Sequence, residues 1–256
     1  MTRFLAAALV ALLLEALPAP AVAAPGIAAA SDLKFALDEI AAAYARETGK
    51  AVRLTYGSSG NFRRQIAEGA PFELFLSADE AYVLALAKEG RLEDEGTAYA
   101  IGRLVLFAPT GSPVDPERGI AGLARLARDG RLARLAIANP LHAPYGRAAK
   151  EALQSSGAWT ALEDRLVLGE NVVQAAQFAA SGNASAGLFA YSLTFSPAIA
   201  GRGRFALVPA SDHSPLRQRM ALVKGAGEEA RAFYHYLQGP SARATFSRRG
   251  FALPGP

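Results

Sequence analysis

The sequence has no cysteine, so disulfides, thiolate metal sites and cysteine nucleophiles are excluded together. Histidine is scarce, with only His142, His213 and His235. No H-E-x-x-H, Walker or G-x-S-x-G sequence occurs, which removes the usual signatures of zinc proteases, phosphate-binding loops and nucleophile elbows. Low-complexity tracts and repeats at solenoid spacing are missing as well. The formal charge of +4 comes from scattered arginines rather than a basic stripe interleaved with aromatics. Short runs such as Arg217-Gln218-Arg219 and Arg248-Arg249 read as solvated surface, so nucleic acid is not an expected partner.

A membrane span is not expected either. The apolar run in "MTRFLAAALVALLLEALPAPAVAAPG" is too short and too rich in small residues. With Arg3 ahead of it and Ala21-Val22-Ala23 behind, it reads as a secretory signal, residues 1–23, cut after Ala23 or Ala24. The exported chain is then expected in the periplasm, with no cysteine to take a lipid anchor.

What remains is globular in composition: 256 residues, 51% hydrophobic and 20% charged, enough for one or two domains. Strand-like and helix-like segments alternate. Ala28-Ala29-Ala30 ends a strand, and Leu33, Leu37, Ile40 and Tyr44 then fall at helical spacing. "AVRLTYGSS" is a strand, "NFRRQIAEG" a helix, "PFELFLSAD" a strand and "AYVLALAKEG" a helix closed by Gly90. One long strand is predicted over 101–109. A second series follows from "RLAIANP" to "GRFALVP", then the strand "LRQRMALVKG" and one or two C-terminal helices. Such alternation predicts an α/β fold with largely parallel sheets in two lobes. The strand near 104–108 and the segment near 211–217 are expected to carry the chain across and back, as a two-stranded hinge that closes on a ligand.

Three strand-to-helix junctions share small residues and a hydroxyl or amide: Ala30-Ser31, Ser58-Ser59 within "GSSG", and Glu170-Asn171-Val172. A fourth, "NPLHAPYGR", puts Tyr145 at a helix start. Ligands of open α/β sheets sit at the carboxyl ends of strands, where such junctions converge. The first N–H groups of a helix lack intrahelical partners and carry about half a positive charge. Several helix starts aimed at one point would make an anion site without lysine or arginine. Each serine also has a plainer reading as an N-cap, and "GSSG" is equally an anion cradle, a cap or a serine turn. Asp32 reads as a first-turn acid that favours the helix dipole and faces away; facing inward, it would accept a proton from a protonated anion such as phosphate.

Six segments go further: "AAASDLKFALDEIAAAYARETG", "GSSGNFRRQIAEGAPFELFLSAD", "YAIGRLVLFAP", "IANPLHAPYGRAAKEAL", "GENVVQAAQFAASGNASAGLFAYS" and "FYHYLQGPSARATFSRRGF". In order, from about residue 26 to 253, they resemble the periplasmic molybdate-binding proteins of ABC importers. The resemblance implies the two-lobed type 2 periplasmic binding protein fold. Lobe 1 would be residues 24–104 and 214–256, and lobe 2 residues 105–213. It implies molybdate or tungstate held by hydroxyls and backbone amides, with no cofactor, no cation site and no catalysis. Carried over by position, Ser31 and Ser59 match the first-lobe serines, with Ser58 as the alternative partner, and Val172 matches a second-lobe N–H donor. Tyr145 matches the members that place a tyrosine there. Members with alanine at that position take a tyrosine hydroxyl where this chain has Ala190, beside Tyr191. A membrane permease is the implied partner of a monomeric receptor. The alternatives are another tetrahedral oxyanion such as sulfate, or a hydrolase acting through Ser59.

Overall fold

Strand and helix alternate from the first described residues onward. The computed structural model describes residues 23–255; the signal sequence read at 1–23 lies outside them but for Ala23. β1 (Gly26–Ala30) passes through a 3-10 turn, Ser31–Leu33, into α1 (Lys34–Thr48). Then come β2 (Arg53–Gly57), α2 (Ser59–Ala67), β3 (Leu74–Ser77), α3 (Glu80–Lys88) and β4 (Thr97–Gly102). The middle of the chain supplies β5 (Leu104–Pro109), α4 (Gly119–Arg128), β6 (Leu135–Ala138), α5 (Pro144–Ser155), the short α6 (Trp159–Leu162), β7 (Leu166–Gly169) and α7 (Val172–Ala180). It closes with β8 (Ala186–Ala190), β9 (Gly203–Leu207), β10 (Leu216–Leu222), α8 (Glu228–Gln238) and α9 (Pro240–Arg248).

These strands form two five-stranded mixed sheets, ordered β2-β1-β3-β10-β4 and β7-β6-β8-β5-β9. In the first, β1 runs parallel to β2 and β3, and β10 lies antiparallel between β3 and β4. In the second, β6 is parallel to β7 and β8, and β5 lies antiparallel between β8 and β9. The protein is thus an α/β molecule of two lobes, each with a parallel core and one antiparallel strand lent by the chain as it passes from the other lobe.

Burial follows position in the sheet. The inner strands β1, β3, β6 and β8 are buried at every residue, as strands covered by helices on both faces must be. Edge strands β2 and β9 have no fully buried residue. Successive β1 side chains point to opposite faces: Ile27 and Ala29 pack with Leu37 and Ile40 of α1, while Ala28 packs with Phe62 and Ile66 of α2. α1 buries Ala36, Leu37, Ile40 and Tyr44, and each fully buried Leu or Ile contributes roughly 1.5–3 kcal/mol. It stops at Gly49, whose φ of 72° lets its N–H turn back to the Ala45 carbonyl at 2.9 Å.

The single strand predicted over 101–109 is two strands in different sheets. β4 ends at Gly102, β5 begins at Leu104, and the chain changes lobe at Arg103. Arg103 is tied down there: its guanidinium donates to the Gly250 carbonyl at 3.0 and 2.9 Å and lies 4.6 Å from the Tyr191 ring centroid. β5 itself belongs wholly to the second sheet, and the return crossing is the segment 208–215 between β9 and β10. With only Gly102 and Arg103 between them, the two strand-like stretches read as one. α4, whose buried face is Ile120, Leu123, Ala124 and Ala127, had no counterpart in the sequence reading. The C-terminal segment forms two helices, broken at Gly239-Pro240.

Candidate functional site: a cleft cavity ringed by helix starts

The carboxyl ends of β1 and β2 in one lobe face those of β6 and β7 in the other. Ser31 opens the 3-10 turn before α1, and Ser59 is the first residue of α2. Tyr145 is the second residue of α5, behind Pro144, and Val172 is the first of α7. All four line one cavity between the lobes. About 190 Å3 of space lies between its atoms. That holds one small solute and excludes a sugar or a peptide. Two wider hollows, of about 1070 and 990 Å3 on the same measure, open to solvent elsewhere on the surface, and no such ring of helix starts surrounds them.

The helix starts are left available. Ser31 and Ser58 make no side-chain cap bond to α1 or α2, and α5 has none either. Only α7 is capped, by Asn171 Oδ1 accepting from Val173 N at 3.0 Å and Gln174 N at 3.2 Å, which passes over Val172. Among the described residues, the N–H groups of Ser31, Ser59, Tyr145 and Val172 donate to no backbone acceptor outside their own helices. The two serine hydroxyls differ. Ser59 Oγ accepts from Ala78 N at 3.0 Å and keeps its proton to give, while Ser31 Oγ has no partner among the described residues. No lysine, arginine or histidine lines the cavity. Positive potential there comes from helix ends and N–H groups alone.

Asp32 does not face away. It is 1% exposed and lines the cavity, because the 3-10 turn rotates it inward before α1 begins. Its Oδ2 accepts from Gln218 Nε2 at 2.6 Å, and Gln218 Oε1 accepts from the Tyr99 hydroxyl at 2.7 Å. Oδ1 has no partner. Burial raises the Asp32 pKa to about 6, against the lowering influence of Gln218 and of the Tyr145 hydroxyl beside it. Burial and the neighbouring carboxylate push the Tyr145 phenol well above its ordinary value, so it stays a donor. That hydroxyl lies 3.4 Å from Gln218 Nε2. Gln218, fully buried in β10, escaped the sequence reading; its one signal was a neutral amide among arginines in an otherwise apolar strand.

Tyr191 lies outside the cavity lining. Its ring packs on Phe195 and Phe205, with centroids 5.0 and 5.6 Å away, under the Arg103 guanidinium. His213 and His235 lie outside it too; His213 Nδ1 sits 2.8 Å from the Ser214 carbonyl on the surface.

His142 belongs to a set of bonds that hold the lobes together. Ser58 Oγ donates to the His142 carbonyl, and Gly60 N donates to the same oxygen at 3.0 Å. A Cβ on Gly60 would sit 2.6 Å from that oxygen, so the glycine of "GSSG" admits the opposite lobe. Asn61 Nδ2 reaches Glu170 Oε1 at 2.6 Å, Arg147 pairs with Asp79, and Ser192 Oγ donates to the Asp32 carbonyl at 2.8 Å. The lobes are closed. His142 Nδ1 lies 3.0 Å from Ser58 Oγ and Nε2 lies 3.6 Å from Glu170, an arrangement like a hydrolase triad. The Ser58 proton is already given to the His142 carbonyl, so Nδ1 faces that oxygen as a donor and not as a base. The contact is a tie between lobes.

Two lobes joined by two chain crossings, with a small cavity between them that no basic side chain lines, are the architecture of a solute-binding protein. Residues 26–252 match the family model described as bacterial extracellular solute-binding protein. The molybdate-binding protein ModA of Rhodobacter capsulatus is 37% identical over 245 residues, covering 93% of this chain and 92% of that one. ModA of Escherichia coli (strain K12) is 34% identical over 230 residues, 88% of this chain and 87% of that one. The structure of the Azotobacter vinelandii periplasmic molybdate-binding protein superposes with a TM-score of 0.81 at 31% identity, over 90% of this chain and all of that one. The chain belongs to the bacterial extracellular solute-binding proteins, in the family of the molybdate-binding proteins.

Proposed function

We propose that this protein captures molybdate, and tungstate with it, between its lobes and delivers the anion unaltered to the membrane permease of an ABC importer. The observation that carries the reading is the convergence of four helix starts, two per lobe, on a cavity without basic side chains. A dianion stripped of water needs donors on every oxygen. Ser31 and Ser59 offer hydroxyl and N–H, Tyr145 offers N–H and phenol, and Val172 offers N–H. About seven such bonds, at roughly 1.5–3 kcal/mol each, total roughly 10–20 kcal/mol before the costs of association and closure. The relatives named molybdate-binding proteins support the choice of anion. Sulfate has the same charge and four oxygens, so selection against it falls to the size of the closed cavity.

On this reading residues 24–103 with 214–256 move as one lobe and 104–213 as the other, the boundary expected at 104–105 falling one residue earlier because Leu104 already pairs in the second sheet. Residues 1–23 direct export to the periplasm, where the protein works as a monomer and binds no nucleic acid. Calorimetric titration of the protein lacking residues 1–23 with molybdate, tungstate, sulfate and phosphate tests the reading. Tight binding of the first two and weak binding of the others is expected. Sulfate held as tightly as molybdate overturns the specificity.

A further inference from the structure

We propose that Asp32 is a fifth anion-facing group of the cleft, and that it carries one proton from solvent whenever a fully ionised oxyanion is held there. The inference rests on the oxyanion reading above and concerns the same site. Asp32 lines the cavity at 1% exposure, one carboxylate oxygen is bonded to Gln218, and the other has no partner. An unpartnered buried carboxylate beside an anion site calls for a chemical explanation.

The groups around it supply no positive charge. α5 brings the Tyr145 phenol, β10 brings Gln218, and β4 brings Tyr99 through that amide. The turn after β8 brings the Ser192 hydroxyl, which binds the Asp32 backbone. α7, packed against the same turn, has no charged side chain. Lys34, two residues on, is paired with Asp38 at 3.1 Å, and His142 is engaged with Ser58. An ionised Asp32 next to a dianion would put three negative charges in a cavity that offers only neutral donors. Like charges so close raise the pKa of the weaker acid until it takes a proton. Both phenols are held well above their ordinary values, so neither supplies that proton; it comes from solvent as the lobes close. Protonation turns the free oxygen from an acceptor into a donor. Tyr145 keeps its own proton, so that both groups donate to the anion.

The sign follows. Burial already lifts Asp32 to about 6 without ligand, and the bound dianion lifts it further. Above about pH 6 the free protein is ionised at Asp32 and the complex is protonated, so binding takes up about one proton. The Kd for molybdate then rises about tenfold per pH unit between those two values. Molybdate titrations at pH 7.5 in two buffers of different ionisation enthalpy, with a Kd series from pH 6 to 8.5, make the test. The wild-type protein and His142→Gln should both show uptake of about one proton, and Asp32→Asn should show close to none and a flat series. Enthalpies identical in the two buffers with a flat wild-type series, or uptake that persists in Asp32→Asn, overturn the inference while leaving molybdate binding intact. The wild-type measurements decide even if Asp32→Asn fails to fold. Absence of molybdate binding at every pH overturns the oxyanion reading and this inference with it.

Discussion

Ser31 and Ser59 both open helices, yet their side chains have different obligations. Ser59 Oγ satisfies the buried Ala78 N–H at 3.0 Å, so Ser59→Ala orphans a donor and should cost about 1–3 kcal/mol of stability as well as affinity. Ser31 Oγ is bonded to nothing among the described residues. Ser31→Ala should leave the ligand-free melting temperature nearly unchanged, within about 0.5 kcal/mol, and weaken molybdate binding by roughly 1.5–3 kcal/mol. Melting curves with and without ligand separate the two cases. Tyr145→Phe should weaken binding by roughly 1–3 kcal/mol, whereas Tyr191→Phe, outside the cavity, should leave the Kd as it is. Equal losses in the two tyrosine variants would contradict the placement of the site.

Among elements, α2 is where closure is decided. Its second residue must pass within hydrogen-bond reach of the His142 carbonyl, and a Cβ there would meet that oxygen at 2.6 Å. Gly60→Ala should therefore fold, since alanine is the better helix former, but hold the lobes apart. Small-angle scattering should show a radius of gyration that no longer contracts when molybdate is added, and the Kd should rise at least tenfold. Contraction as in the wild type would mean that the neighbouring loop yields. The ties at the cleft rim, Arg147 to Asp79 and Asn61 to Glu170, are partly exposed and carry less weight, because solvent and salt screen such pairs.

For the whole molecule, ligand binding and stability are one equilibrium. An anion that bridges both lobes stabilises the closed native state by RT ln(1 + [L]/Kd), about 4 kcal/mol at a thousandfold excess over Kd. Molybdate and tungstate should raise the melting temperature by several degrees, and sulfate at equal concentration should move it little. A melting temperature indifferent to all tetrahedral oxyanions would point away from an oxyanion receptor. Arg103 and the segment 208–215 are the two places where the chain changes lobe, so opening and closing act on them while each sheet stays intact.

Much of this was legible along the chain, because it depends on neighbours in sequence. Apolar runs bounded by glycines, and helical spacing after each, are local patterns that dictate alternating strands and helices. Small residues with a hydroxyl or amide at helix starts, and no basic side chain among them, are likewise a local pattern, readable as an anion cradle or as plain helix caps. The break at Arg103 stayed hidden because strand-like residues flank it closely on both sides and read as one strand. The direction of Asp32, the freedom of the Ser31 hydroxyl and the role of Gly60 were decided only by tertiary contacts. Asp32 meets Gln218 across 186 positions of chain, and Gly60 meets a carbonyl of the opposite lobe. Whether a carboxylate is buried or a glycine is crowded depends on which distant segment folds against it, and local sequence has no term for that.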